Sequence, residues 1–407
     1  MNFLSKLLTF LLFIGPVVLA VFGWPVEGNR IKNVHLYPAY YILSVYLIYA
    51  VLTKKISLKI SREALLILVI VFLWYWGNKL VNRQMSKIVL VNSMALPAMY
   101  FIFFSSLRDI KIKKNVQRII LILYIINCLV AVYERMTLGN LFPIQIIRYE
   151  DEIEILYYAN EFRSNALIGY PLTNALIMSI IMVFILISDM RLIKKMALYC
   201  IGLFSLFCFN ARASIMISVL SLFLYLIRPF VTNKTFSIKN IIFTFTFVLI
   251  SMAFVSFLFD AGFGGRFEAR GDFSVDSSVL SRLDVFSLLL KFDISELLWG
   301  VSGDIRNISL SILGSIHVEN WFILSSLQVG VVITTVVTVL FVPVFSKSLK
   351  PYSKYESLLI IMITIGLAST NNSLACGAPA LSICFVCAYA FDRGNNLLLN
   401  RDIRKQR

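Results

Sequence analysis

Charged side chains are scarce in this sequence. Only 15% of its 407 residues are Asp, Glu, Lys or Arg, whereas 59% are hydrophobic, and the mean hydropathy is +0.83. Soluble domains carry roughly 25% charged residues. The composition therefore excludes an ordinary water-soluble domain and predicts a chain that is solvated mainly by a lipid bilayer.

Long apolar runs recur from one end of the chain to the other. A bilayer core about 30 Å thick requires roughly 20 apolar residues for each spanning helix. Runs of about this kind lie at residues 7–24, 36–53, 64–81, 88–107, 119–134, 166–188, 196–209, 213–228, 241–259, 320–345, 357–372 and 379–391. We predict an all-α integral membrane protein with about twelve transmembrane helices, in which residues 1–391 form one membrane domain and residues 392–407 form a basic tail.

Ionisable residues and internal repeats are both missing from these runs. No charged residue lies deep inside any run, and no repeat relates the two halves of the sequence. A coupled secondary transporter usually keeps ionisable groups near the middle of the membrane and is often built from repeats. This argues against a secondary transporter. No acidic cluster resembles a DxD metal site, so neither a metal nor another cofactor is predicted.

The net charge of +16 comes from short basic clusters between the apolar runs. Such clusters set topology by the positive-inside rule, and they suit anionic lipid head groups, so they predict contact with membrane lipids and not with nucleic acid. An amino terminus in the cytoplasm makes the basic segments 54–62, 108–118 and 392–407 cytoplasmic. We therefore predict that both chain ends lie inside.

Two predicted outer segments, residues 135–165 and 260–319, are too long to be simple connections. The second is a large outer loop between predicted helices nine and ten. Within it, one face of a predicted helix holds Leu280, Leu283, Phe286 and Leu290. This spacing predicts an amphipathic helix that lies on the membrane surface or caps the bundle.

Several arginine residues stand at the predicted outer ends of helices. Arg212 lies at the junction of predicted helices seven and eight, Arg282 lies in the predicted surface helix, and Arg163 precedes helix six. Taken singly, an arginine at a helix end often only extends to lipid phosphates, and Arg282 could belong to a solvated face. Together these residues suggest a basic site at the outer interface.

A histidine and a glutamate end the second outer segment. His317 and Glu319 come just before Asn320, where predicted helix ten begins. Residues i and i+2 share one side of an extended segment, so the two side chains could act together in proton transfer. The alternative is a capping or interfacial role at the start of the helix.

The order and spacing of these residues resemble the bacterial O-antigen polymerase and O-antigen ligase superfamily. The segments that carry the resemblance are Arg163-Ser164 with Gly169 and Pro171, Asn210-Ala-Arg212-Ala-Ser214, Ser281-Arg282-Leu283, and Asn320 with Gly330. The resemblance implies about twelve helices with a large outer loop between helices nine and ten, in the bacterial inner membrane with the active site facing the periplasm.

By this resemblance, the expected substrate is an oligosaccharide linked to undecaprenyl diphosphate at the outer leaflet. A polymerase transfers the glycan to another carrier-linked repeat unit, whereas a ligase transfers it to lipid A core. Family ligases typically have histidine directly before the asparagine, but Glu319 stands there in this chain. The resemblance therefore favours an O-antigen type polymerase, with an O-antigen ligase as the alternative, and it implies a chain-length regulator protein as a further partner.

The expected transfer reaction needs two kinds of side chain. Positive groups must bind the diphosphate leaving group, and arginine suits this because its planar guanidinium pairs with phosphate oxygens and stays charged. The candidates for diphosphate and glycan binding are Arg212, Arg282, Arg163 and Asn320. A base must take the proton of the acceptor hydroxyl, and Glu319 or His317 is the catalytic candidate.

Overall fold

The computed structural model describes residues 1–23, 26–27, 30–31, 36–53, 58–81, 89–142, 162–232, 256, 285–301, 318, 320–370, 373–374 and 379–392. The first nine helices are α1 (Asn2–Leu11), α2 (Pro16–Val21), α3 (Pro38–Leu52), α4 (Leu58–Leu80), α5 (Leu96–Ser105), α6 (Ile110–Thr137), α7 (Pro171–Ile187), α8 (Leu192–Cys208) and α9 (Arg212–Thr232). The others are α10 (Ile294–Trp299), α11 (Trp321–Val329), α12 (Val331–Leu349), α13 (Lys354–Ile361), α14 (Leu367–Ser369) and α15 (Ala380–Ala390).

Shorter elements complete this helical architecture. Strands β1 (Val26–Glu27) and β2 (Arg30–Ile31) pair antiparallel between α2 and α3. One π-helical segment, Val89–Ala95, leads into α5, and another, Met362–Gly366, joins α13 to α14. A 3-10 turn, Leu289–Lys291, precedes α10.

Three described helical stretches are long and apolar enough to cross a membrane. They are Ser61–Leu80 in α4, Ile110–Thr137 (α6) and Val331–Leu349 (α12). The shorter apolar helices are Pro38–Leu52, Val89–Ser105, Pro171–Ile187 and Ala380–Ala390. These helices support the prediction of a helical membrane protein. The predicted run 241–259 lies outside the described residues except at position 256, and the number of spans stays a prediction.

Helix α7 lies at the centre of the described bundle. Its residues from Thr173 to Ile187 are all buried, and it contacts α8, α9, α13 and α15. A helix that is apolar on every side must be surrounded by other helices or by lipid, and here protein surrounds it. The segment that leads into α7, residues 162–170, is therefore fixed relative to most of the bundle. We call it the pre-α7 segment.

The first predicted span, 7–24, is interrupted in the structure. The helix stops after Leu11 and resumes at Pro16, so α1 and α2 replace one continuous helix. At the break, the Gly15 amide donates to the carbonyl of Leu167 in the pre-α7 segment at 2.9 Å. A side chain at Gly15 would overlap the Ile168 backbone, which explains why glycine fits there.

The predicted run 320–345 is also divided, in this case by Gly330 between α11 and α12. Gly330 has a φ of 100°, and a Cβ there would overlap the Leu298 carbonyl and approach the Trp299 carbonyl carbon to 2.9 Å. The close approach continues where the Val301 amide donates to the Leu327 carbonyl at 2.8 Å. The end of α10 is thereby docked against the break between α11 and α12.

The described residues 285–301 of the predicted outer segment pack against the bundle through side chains next to the predicted apolar face. Phe286 and Leu290 are 54% and 86% exposed, whereas Val285 and Leu288 are buried. The buried side chains join a small apolar cluster that consists of Val285, Leu288, Val301, Val318, Ile323, Leu324 and Leu327. The segment is thus attached to α11 through one face while a second apolar face is uncovered. Leu280 and Leu283 lie outside the described part of the chain.

An aromatic contact attaches α10 to α4 as well. The rings of Trp74 and Trp299 stack with their centroids 4.9 Å apart, and the Trp74 indole donates to the Val329 carbonyl at 2.9 Å. Trp74 therefore contacts both α10 and the end of α11. These contacts fix the carboxyl-terminal end of α11 against α4 and α10.

Candidate functional site

The pre-α7 segment is held by the carboxylate of Glu134, near the end of α6. Its Oε2 accepts hydrogen bonds from the Ser164 hydroxyl at 2.6 Å, the Asn165 amide at 2.8 Å and the Ala166 amide at 2.9 Å. Its Oε1 accepts from the Leu141 amide at 2.9 Å. Glu134 is fully buried, and four donors offset the cost of removing a carboxylate from water.

Two buried asparagines extend this polar network toward the centre of the bundle. The Asn127 side chain accepts from the Leu167 amide at 3.0 Å and donates to the Asn174 side-chain oxygen at 3.1 Å. Asn174 in turn donates to the Asn165 carbonyl at 2.6 Å and the Tyr170 carbonyl at 3.1 Å. Side chains of α6 and α7 therefore replace the regular hydrogen bonds that the pre-α7 segment lacks.

The backbone of the pre-α7 segment adopts uncommon conformations. Ala166 has a φ of 39° and Gly169 a φ of 85°. Glycine adopts a positive φ readily, but a residue with a Cβ does so at a cost of order 1–3 kcal/mol. The bond from the Ala166 amide to Glu134 helps to hold this conformation. The helix starts at Pro171 and not at the predicted residue 166, and Arg163 and Ser164 lie in the segment before it.

The structure brings together the two segments that contain Arg163 and Arg212. The Ser164 amide donates to the Cys208 carbonyl at 3.1 Å, at the end of α8. A tight turn follows Cys208, with Asn210 at a φ of 51°, and α9 then begins at Arg212. Both arginine side chains are partly exposed. Two of the predicted motifs thus meet at one end of the bundle.

A third arginine, which the sequence analysis did not select, lies beside these segments. Arg135 is only 7% exposed, and its guanidinium donates to the Phe162 carbonyl at 3.3 Å. A buried guanidinium is costly unless polar groups contact it, and the Phe162 carbonyl is one such group. Arg135 therefore places a positive charge next to the pre-α7 segment. Its position one residue after Glu134 lets neighbouring side chains of α6 hold neighbouring parts of that segment.

Asn320 acts as the cap of α11. Its side-chain oxygen accepts hydrogen bonds from the amides of Phe322 at 3.0 Å and Ile323 at 3.1 Å. This is the ordinary role of an asparagine at a helix start, where the first amides lack partners within the helix. A role in substrate binding would thus come in addition to a structural one. Helix α11 contacts α14, which in turn contacts α9.

The remaining predicted residues, Arg282, His317 and Glu319, lie outside the described residues, so their roles stay predictions. Conversely, Glu134, Arg135, Asn127 and Asn174 were missed. Asn127 and Glu134 are seven residues apart, which places them on one helix face, and Asn174 interrupts an otherwise apolar run. These asparagines inside apolar runs were the available signal.

At the end of the bundle opposite the pre-α7 segment, charged residues form salt bridges. Arg228 and Glu356 are bridged at 2.8 Å, Lys347 pairs with Glu63, and Lys113 pairs with Asp392 at 3.1 Å. Lys113 is near the start of α6, about 30 Å along the helix from Glu134. A cavity of about 220 Å³ beside Lys113 is therefore remote from the Arg163 and Arg212 segments.

The described residues thus form a polar junction at one end of the bundle, where the pre-α7 segment, the end of α6 and the α8–α9 turn meet. Fixed backbone geometry and partly exposed arginines at this junction suit the binding of an anionic group. No protein-family model matches the chain, and no curated protein has a significantly similar sequence.

Proposed function

We propose that the protein is a membrane glycosyltransferase that polymerises a surface polysaccharide of O-antigen type. In this proposal about twelve helices cross the bacterial inner membrane, both chain ends are cytoplasmic, and the polar junction faces the periplasm. The observation that carries it is the Ser164–Cys208 hydrogen bond, because this bond joins the Arg163 segment to the turn that leads into Arg212. The resemblance of the motifs supplies the reaction class.

The reaction transfers a glycan from one undecaprenyl diphosphate carrier to the non-reducing end of another repeat unit. The acceptor hydroxyl attacks the anomeric carbon, a new glycosidic C–O bond forms, and the bond from that carbon to the diphosphate breaks. Arg212, Arg163 and Arg282 bind the departing diphosphate, and Asn320 contacts the glycan. Glu319 or His317 takes the hydroxyl proton. No metal is required, because arginine side chains balance the phosphate charge.

Arginine substitutions test the binding of the diphosphate. We expect Arg212→Ala and Arg163→Ala each to reduce long-chain polysaccharide strongly in a complemented deletion strain, because each removes a charge-assisted contact worth about 1.5–3 kcal/mol. The measurement is the length distribution of surface polysaccharide on gels, at matched protein levels. Arg118→Ala is the control, since Arg118 is exposed near the start of α6 and remote from the junction. Unchanged banding in both junction variants would contradict the assignment.

The same deletion strain separates the related functions. Loss of a polymerase leaves a single repeat unit attached to its acceptor, whereas loss of a ligase leaves polymer unattached. A flippase differs again, because it moves the carrier without changing chain length. Purified protein should lengthen carrier-linked glycan without any ion gradient, and failure to do so would contradict the proposed polymerase.

A further inference from the structure

Glu134 connects two parts of the chain that lie on either side of residues 143–161. The Leu141 amide, on the amino-terminal side, bonds to Oε1 of the carboxylate, and the Ser164, Asn165 and Ala166 donors, on the other side, bond to Oε2. One fully buried carboxylate thus closes the base of the first predicted outer segment. Oε1 therefore binds the chain before residues 143–161, and Oε2 binds the chain after them.

The arrangement suits a side chain that presents two acceptor oxygens. All four partners are hydrogen-bond donors, so each oxygen must act as an acceptor. A glutamine could direct its oxygen toward the three donors of the pre-α7 segment, but its amide group would then face the Leu141 amide, donor against donor. An alanine would remove both acceptors. The two substitutions therefore remove the contacts in steps.

A purely structural role would explain the burial, but the position of the held segment indicates more. Arg163 directly precedes Ser164, whose hydroxyl bonds to Glu134 and whose amide bonds to Cys208. Ser164 is thus fixed from both sides, by the end of α6 and by the end of α8. The location of the adjacent Arg163 relative to the start of α9 at Arg212 depends on these two contacts.

We propose that Glu134 is a positioning residue of the glycan-transfer site. Its carboxylate holds the pre-α7 segment so that Arg163 stands beside the segment of Arg212 and both can bind one diphosphate group. Glu134 itself touches no reacting atom. This inference rests on the proposed function, which supplies the ligand.

Hydrogen exchange and steady-state kinetics on the purified, full-length protein test the proposal together. In Glu134→Ala, the amides of Asn165 and Ala166 should exchange about tenfold faster or more, since each loses a bond to a charged acceptor. The KM for carrier-linked repeat unit should rise about tenfold, while kcat falls much less, because binding of the diphosphate is weakened before chemistry. Glu134→Gln should change amide exchange and KM less than Glu134→Ala does. Its faster exchange should be found mainly at the Leu141 amide.

Glu356→Gln is the matched control. Glu356 is also a buried carboxylate at a helix end, but it pairs with Arg228 and caps α13. It should leave exchange in the pre-α7 segment and the KM unchanged even if it lowers thermal stability. If Glu134→Ala does not fold, Glu134→Gln and the milder Ser164→Ala carry the same comparison.

Three results would overturn the positioning role. The first is unchanged exchange of the pre-α7 segment in the Glu134 variants, and the second is faster exchange with an unchanged KM. A shift in KM produced equally by Glu356→Gln would also overturn it, because general destabilisation would then be the cause. Failure of the proposed function looks different: the wild-type protein would not lengthen glycan, whatever the exchange data show.

Discussion

At the scale of single residues, the polar junction depends on groups whose burial is compensated individually. Glu134 has four donors, and Asn127 and Asn174 bond to each other and to the backbone of the pre-α7 segment. All three side chains are fully buried, so water does not readily replace a lost partner. Each of these side chains therefore fixes a local backbone geometry as well as contributing to stability.

The proton acceptor is a separate residue-scale prediction. We expect either Glu319→Gln or His317→Ala to reduce polymerisation by a factor of about 10² to 10⁴, the usual contribution of a general base. The measurement is initial rate with carrier-linked repeat unit at saturating concentration. The variant that retains activity identifies the residue that is not the base. Wild-type rates in both variants would show that neither Glu319 nor His317 is the general base.

The sequence alone predicted that Arg163 and Arg212 bind the same diphosphate substrate. The structure brings the segments that contain them together. The sequence did not predict Glu134, because a glutamate at the end of an apolar run is usually solvated at the interface. Only the folded structure reveals that four donors, three of them in the pre-α7 segment, converge on this carboxylate. Hydropathy records the average environment of a helix, whereas a buried carboxylate depends on individual partners.

At the scale of elements, apolar runs predicted where helices form but not where they break. The runs 36–53 and 379–391 correspond closely to α3 and α15, since length and hydropathy decide these helices. The runs 7–24 and 320–345 are each divided in two. Gly15 and Gly330 mark the breaks because another part of the backbone approaches closely, and such an approach leaves no periodic signal in the sequence.

Gly330→Ala tests the importance of one such break. We expect a loss of several kcal/mol of stability, because the alanine would have to adopt a φ of 100° and would overlap the Leu298 carbonyl. Thermal unfolding in detergent measures the effect. Gly77→Ala in α4 is the control, since nothing lies within 4 Å of a Cβ there, and it should be neutral or slightly stabilising. Equal unfolding temperatures in the two variants would contradict the expected strain.

At the scale of the whole molecule, the described helices surround α7, while basic residues and acid–base pairs lie at the end opposite the polar junction. Lys113 with Asp392 and Arg228 with Glu356 belong to that end. The positive-inside rule predicts that this end faces the cytoplasm. The polar junction would then face outward, which is where a carrier-linked glycan becomes available in the proposed reaction.

Labelling from outside intact cells or spheroplasts tests this orientation. We expect a cysteine at Ser295, near the exposed surface of α10, to react with a membrane-impermeant thiol reagent added outside. A cysteine at Gln406 in the basic tail should react only after the membrane is permeabilised. The native cysteines that the structure describes are buried or partly buried, which favours a low background. The reverse pattern would contradict the predicted topology.

The contact between Gly15 and the pre-α7 segment has a consequence for biosynthesis. The amino-terminal helices are made and inserted first, but the Gly15 amide obtains its partner only when Leu167 has been synthesised and α6 and α7 have assembled. Until then the break between α1 and α2 must persist with an unsatisfied backbone group or close into a continuous helix. The beginning of the chain would therefore reach its final shape late, at the same time as the junction near Arg163.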